Sequence, residues 1–123
     1  MHTLDTNTII YYLNGDAATV QTLEDIFDQE TPRYVSTITV LELFSRRELS
    51  DPDKDDIERL LASLFVIPLD IDLARDAGDI RSQYGLKTPD SAIAATALRY
   101  RSTLVTRNVR DFRRITTLII QAI

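Results

Sequence analysis

Apolar residues recur along this chain at two spacings, and the alternation between them predicts a fold class. Val20, Leu23 and Phe27 are spaced for one face of a helix from Ala17 to about Gln29, capped by Asp16 after the break at Asn14-Gly15. Ile57, Leu60, Leu61 and Leu64 mark the apolar face of a second helix, which Ser50 or Asp51 caps and Pro52 opens. Helices are also predicted from about Ile38 to Glu48, and from Asp72 to Tyr84 with a stop at Gly85. An Ala-rich helix runs to about Tyr100, with Thr88 as cap and Pro89 in the first helical position. Between these lie short runs that read as strands: Met1 to Leu4, Tyr34 to Ser36, Phe65 to about Pro68, Thr103 to Thr106, and Thr116 to Ile120. Strands alternating with helices predict a mostly parallel sheet covered on both faces. With no repeat and no Gly/Ser-rich linker, residues 1–123 are expected to form a single domain.

Several carboxylates interrupt that pattern. Asp5 follows the first strand, and the small polar Thr6 and Asn7 beside it could hydrogen-bond its carboxylate. Glu42 breaks the run Val40-Leu41-Glu42-Leu43-Phe44, sharing a helical face with Ile38 and Ser45. Asp90 falls in the first turn of the Ala-rich helix, where the helix dipole favours the ionised form. Ala92, Ala94, Ala95 and Ala97 would let that helix pack close to the sheet and bring Asp90 toward Asp5. Asn108 and Asp111 sit three apart after the fourth strand, so both could face one cleft.

Each of these has a plainer reading. Asp5 could cap a helix starting at Thr6, Glu42 could be a boundary residue with its head in water, and Asp90 could serve helix stability alone. Asp111 could pair with Arg107 or Arg114. Their common position is what favours chemistry: in open parallel sheets ligands bind beyond the carboxyl ends of the strands. If the acids converge there, they cannot all stay ionised without a cation. Oxygen donors alone select Mg²⁺ or Mn²⁺ over zinc or copper, which points to an enzyme acting on phosphates.

Composition narrows the options. The chain has no cysteine, so disulfides and thiolate metal sites are excluded. No secretion signal is evident, and the apolar runs fall far short of the ~20 residues needed to span a bilayer. A soluble cytoplasmic protein is expected. The net charge of -5 argues mildly against general nucleic-acid binding. Six arginines nevertheless fall between Arg99 and Arg114 against one acid, Asp111, and such a patch can engage phosphates. Arg107 and Arg110, beside Asn108 and Asp111, are candidate contacts for such a backbone.

The lone histidine, His2, excludes a nuclease with paired histidines and a Ser-His-Asp triad. The three glycines, Gly15, Gly78 and Gly85, form no phosphate-cradling loop.

Four segments together resemble the PIN domain: Leu4-Asp5-Thr6-Asn7-Thr8-Ile9-Ile10, Ser36 through Leu43, Asp90 with Ile93-Ala94-Ala95-Thr96-Ala97-Leu98, and Leu104 through Phe112. Within that family they are similar to the VapC toxins of type II toxin–antitoxin systems. The resemblance implies a three-layer α/β/α sandwich of Rossmann-like kind and an endoribonuclease dependent on Mg²⁺ or Mn²⁺. It also implies a VapB-type antitoxin and a homodimer. It carries the family's acids over to Asp5, Glu42 and Asp90, with Asp5 and Asp90 as metal ligands and Asn7 and Asn108 as auxiliary groups. Many members have an acid where this chain has Asn108. Asp111, about one helical turn later, is the alternative occupant of that fourth position.

Two rival classes share parts of this pattern. Asp5-Thr6-Asn7-Thr8 is similar to the opening of haloacid-dehalogenase phosphatases, but Asn7 stands where those carry an acid and cannot donate a proton as one. A receiver-type phosphoacceptor module would need a lysine near the last strand, and the lysines are Lys54 and Lys87. A catalytically inactive binding module with the same fold is the third reading, and retention of all three main acids argues against it.

Overall fold

Parallel strands cannot be joined by a tight turn, so each connection needs a crossover, and this chain supplies a helix every time. The computed structural model describes residues 1–123. The order is β1 (His2–Leu4), α1 (Thr6–Leu13), α2 (Ala17–Phe27), β2 (Arg33–Ser36), α3 (Thr37–Phe44), α4 (Asp51–Ala62), β3 (Phe65–Ile67), α5 (Ile71–Tyr84), α6 (Thr88–Arg99), β4 (Thr103–Thr106), α7 (Val109–Phe112) and β5 (Ile120–Ala122). The five strands form one sheet in the order β3-β2-β1-β4-β5, and all four pairings are parallel.

Alternation along the strands divides the core into two layers. Leu4, Val35 and Val105 turn to one face and pack with Ile9, Leu23, Leu43 and Ile57 from α1 to α4. Leu104 turns to the other, against Leu73 and Ile80 of α5, the alanines of α6, and Phe112 of α7. Leu4, Ile9 and Leu104 are fully buried, each worth roughly 1.5–3 kcal/mol relative to exposure. The expected three-layer α/β/α sandwich is what the chain forms. No helix is long and apolar enough to cross a membrane.

Local chemistry sets most boundaries. Asp16 accepts the Thr19 N–H at 3.1 Å to start α2, and Ser50 with Asp53 forms a reciprocal capping box at α4. Gly85 ends α5 at φ +69°, a left-handed conformation that a side chain would strain.

Three expectations fail in detail. α3 stops at Phe44 rather than running to Glu48: Ser45 caps it, and Glu48 itself turns left-handed at φ 62°. Lys87, not Thr88, is the residue before α6, which moves Pro89 to the second helical position. The last strand is Ile120–Ala122, not Thr116 to Ile120. There the apolar residues first serve a turn, in which Leu118 N–H bonds Ile115 O at 3.1 Å and both side chains are buried.

Candidate active site

The strand order reverses between β1 and β4. The chain runs from β1 outward to β2 and β3, then crosses back to β4 and on to β5. Such a reversal opens a crevice at the carboxyl ends of the two central strands. Asp5 is the first residue after β1, and Thr106 is the last of β4. The Asp5 N–H donates to Val105 O at 3.2 Å, and the Thr8 hydroxyl donates to the same carbonyl at 3.0 Å. The start of α1 is thereby stitched to the end of β4.

Asp5 stands at the N-cap position of α1, yet its carboxylate makes no capping hydrogen bond. It accepts instead from the Thr106 hydroxyl, at 2.7 Å to Oδ2. The Asn108 N–H donates to Thr106 Oγ1 at 2.9 Å, so the hydroxyl proton is left to face Asp5. Asp5 is 4% exposed. Burial pushes its carboxyl above the usual range, the Thr106 hydroxyl and the nearby Thr6 N–H pull it back, and the charge of Glu42 adds to the rise.

Asp90 lies in the first turn of α6 and is half-buried. The helix N-terminus was expected to favour its ionised form. Burial outweighs that and raises its pKa to about 6, with the charges of Asp5, Asp111 and Glu42 acting in the same direction. Lys87 pulls the other way. Asp90 therefore lies close enough to Asp5, Glu42 of α3 and Asp111 of α7 to feel the charge of each.

Glu42 is partly buried on α3 and accepts the Thr6 hydroxyl at 2.7 Å. Thr6 was expected to serve Asp5 with its side chain and serves Glu42 instead. Asn7, the other expected partner of Asp5, is exposed and makes no hydrogen bond to it. Asn108 Nδ2 donates to Asp111 Oδ2 at 3.1 Å, and Arg114 lies 3.4 Å from Asp111 Oδ1. Asn108 thus orients Asp111, and the ion pair anticipated for Asp111 also forms, with Arg114.

Arg107 is occupied elsewhere. Its guanidinium pairs with Asp16, donates to Thr19 Oγ1 at 3.0 Å and covers the Tyr11 ring at 4.2 Å from the centroid. Arg110 is exposed and forms no ion pair. Sequence reasoning passed over Thr39, Thr106 and Lys87. Thr106 ends a strand beside a motif already singled out, which was the available signal; the other two gave none.

The acids offer oxygen donors alone, but no three acidic or histidine side chains are placed to grip one ion together. That suits Mg²⁺ or Mn²⁺, which keep several waters and take one or two carboxylates, better than an ion that needs a full protein cage. Burial first, and then the charges of Asp5, Asp111 and Glu42, raise Asp90, and a divalent cation would offset both. Residues and group fit.

The sequence model of the PIN domain matches residues 3–118. The chain belongs to the PIN domain family. A relative named Ribonuclease VapC2, from Rickettsia felis, is 24% identical over 129 residues, covering 98% of this chain and 96% of its own. Among solved structures, a toxin–antitoxin complex from Klebsiella pneumoniae contains a chain with TM-score 0.83 and 28% identity, covering all of both chains. DNA-bound VapBC from Salmonella typhimurium gives TM-score 0.81 at 26% identity, covering 98% of this chain and 96% of that one. VapBC2 from Rickettsia felis, bound to a promoter fragment, gives 0.82 at 22% identity, covering 99% and 98%. The PIN resemblance read from four motifs agrees with these findings, and the phosphatase and receiver readings gain no support.

Proposed function

We propose that this chain is a VapC-type toxin, a metal-dependent endoribonuclease that hydrolyses RNA phosphodiester bonds. The observation that carries the reading is the convergence of Asp5, Glu42, Asp90 and Asp111 at the crevice between β1 and β4, with Asp90 raised to about 6 by burial and by the other three. Three carboxylates set around a half-buried fourth are expensive for structure alone and are typical of a functional site. The name Ribonuclease VapC2 on a full-length relative supports the choice of RNA.

Asp5 and Asp90 would hold Mg²⁺ or Mn²⁺, which supplies Lewis-acid stabilisation of the phosphate and a readily deprotonated water. Thr106 keeps Asp5 pointed into the crevice. Glu42 takes the proton of the attacking water or orients it, and its second oxygen, Oε2, accepts no protein hydrogen bond. Asp111, held by Asn108, fills the fourth acidic position. Arg110 meets the RNA backbone, and Arg107 contacts it only by giving up Asp16. A VapB-type antitoxin is part of the reading, supported by the toxin–antitoxin complexes among the structural neighbours; homodimerisation and a cytoplasmic site of action complete it, resting on the PIN resemblance alone.

Induced expression in a bacterial host tests this. Growth arrest with accumulation of discrete RNA fragments is expected, and Asp5→Asn should abolish both. Arrest and fragments undiminished by Asp5→Asn would overturn the assignment.

A further inference from the structure

Glu42 is tied into the site by a chain of hydroxyls whose direction can be deduced. Thr6 Oγ1 donates to Glu42 Oε1 at 2.7 Å, and Thr6 Oγ1 lies 2.9 Å from Thr39 Oγ1. A threonine hydroxyl carries one proton. Since the Thr6 proton goes to Glu42, the other bond must run from Thr39 to Thr6. The chain is therefore one-way, from Thr39 on α3 through Thr6 on α1 and back to Glu42 on α3.

These two threonines differ from Thr8 and Thr96 and resemble Thr106, whose hydroxyl donates to Asp5. The Thr8 and Thr96 hydroxyls donate to backbone carbonyls, of Val105 at 3.0 Å and of Ala92 at 2.8 Å. Thr6 and Thr39 are 5% and 0% exposed; the Thr6 proton goes to the Glu42 carboxylate and the Thr39 proton to Thr6. Valine would fill the same volume without the cost of desolvating a hydroxyl. Buried hydroxyls aimed at an acid are better explained by what the acid does than by packing.

We propose that Thr6 and Thr39 are positioning residues that hold the Glu42 carboxylate toward the divalent cation carried by Asp5 and Asp90. The inference rests on the metal-nuclease reading above. With Oε1 fixed by Thr6, the rotation of the carboxyl group is set and Oε2 is presented to the crevice. Thr39 in turn fixes the Thr6 rotor, which otherwise could swing its proton away.

The test uses Mn²⁺ affinity, measured by calorimetry without RNA, beside the rate of RNA cleavage and the thermal midpoint. Thr6→Val should weaken Mn²⁺ binding and slow cleavage, each by about 10- to 100-fold, as loss of groups that orient metal ligands does. Thr6→Ser should restore both. Thr39→Val should give a smaller loss of the same kind, and it carries the test if Thr6→Val does not fold. In a Glu42→Ala background, Thr6→Val should add nothing, because the pair acts as a unit. Wild-type affinity and rate in Thr6→Val, or a loss that persists undiminished in the Glu42→Ala background, would overturn the inference and leave the nuclease reading intact. The expected Mn²⁺ pattern in a protein that cuts no RNA would overturn the nuclease reading and leave the positioning role. A chain that binds no Mn²⁺ would overturn both.

Discussion

The Thr106 hydroxyl donates to Asp5 Oδ2 at 2.7 Å, joining residues 101 positions apart at the ends of the two central strands. Thr106 Oγ1 in turn accepts the Asn108 N–H at 2.9 Å. One hydroxyl therefore orients an acid from β1 and pins the loop that carries Asn108 and Asp111.

Thr106→Val keeps the shape but leaves the Asn108 N–H without its acceptor and Asp5 without its donor. Cleavage should fall about 10- to 100-fold, and stability by about 1–3 kcal/mol. Thr106→Ser should keep most of both. Urea unfolding and initial rates on one RNA would check this, and a Thr106→Val enzyme of normal rate would contradict it.

The raised carboxyl of Asp90 fixes the sign of a pH effect. In metal-free folded protein it holds its proton up to about 6, whereas an unfolded chain releases it near the ordinary value of about 3.9. The folded state binds more protons in that window, so this group's contribution to stability is lost as pH rises through it. Asp5, also raised, acts in the same sense. In EDTA, Asp90→Asn should gain thermal midpoint over wild type, and the gain should grow from about pH 4 to about pH 7. Mn²⁺ should then stabilise wild type and not the variant. A difference that does not change with pH would contradict the account.

Two neighbouring arginines should separate binding from folding. Arg107 is clasped by Asp16, Thr19 and Tyr11, whereas Arg110 has no ion-pair partner. Arg107→Ala should lower the thermal midpoint. Arg110→Ala should leave it unchanged, weaken RNA binding and reduce the salt dependence by about one phosphate contact. Fluorescence anisotropy with catalytically silent Asp90→Asn protein at several salt concentrations would read this directly.

Close packing of α6 carries Asp90 to its place. Ala94 is fully buried one helical turn after Asp90. Ala94→Leu overfills that contact, at a cost of about 1–3 kcal/mol. It should also weaken Mn²⁺ binding, although the side chain at 94 offers no metal-binding oxygen. Unchanged affinity in a destabilised variant would show that the position of Asp90 does not depend on this packing.

Much of this was legible in the chain because the signals were local. The alternation in the strands, the Asp16 and Ser50 caps, Gly85 and the small face of α6 each depend on a few adjacent residues. The end of α3 and the place of β5 were misread for different reasons: Ser45-Arg46-Arg47-Glu48 carries no break signal, yet the helix stops at Ser45, whereas before β5 the apolar Ile115 and Leu118 are buried by a turn rather than a strand. The site was legible as a set of acids, not as a network. The partner of Arg107 lies 91 positions away, and that of Thr106, 101. Thr6 adjoins Asp5 in sequence, yet the start of α1 turns its hydroxyl to α3. Which acid a hydroxyl serves is decided by tertiary placement, and no spacing rule in the sequence encodes it.

The most direct test of the central claim is cleavage of total cellular RNA by antitoxin-free protein, with Mg²⁺ or Mn²⁺, with EDTA, and with Asp90→Asn in parallel. Discrete fragments that require the ion and vanish in EDTA and in the variant are the predicted result. Fragments that persist in EDTA or in Asp90→Asn would contradict it, as would intact RNA with metal-loaded wild-type protein.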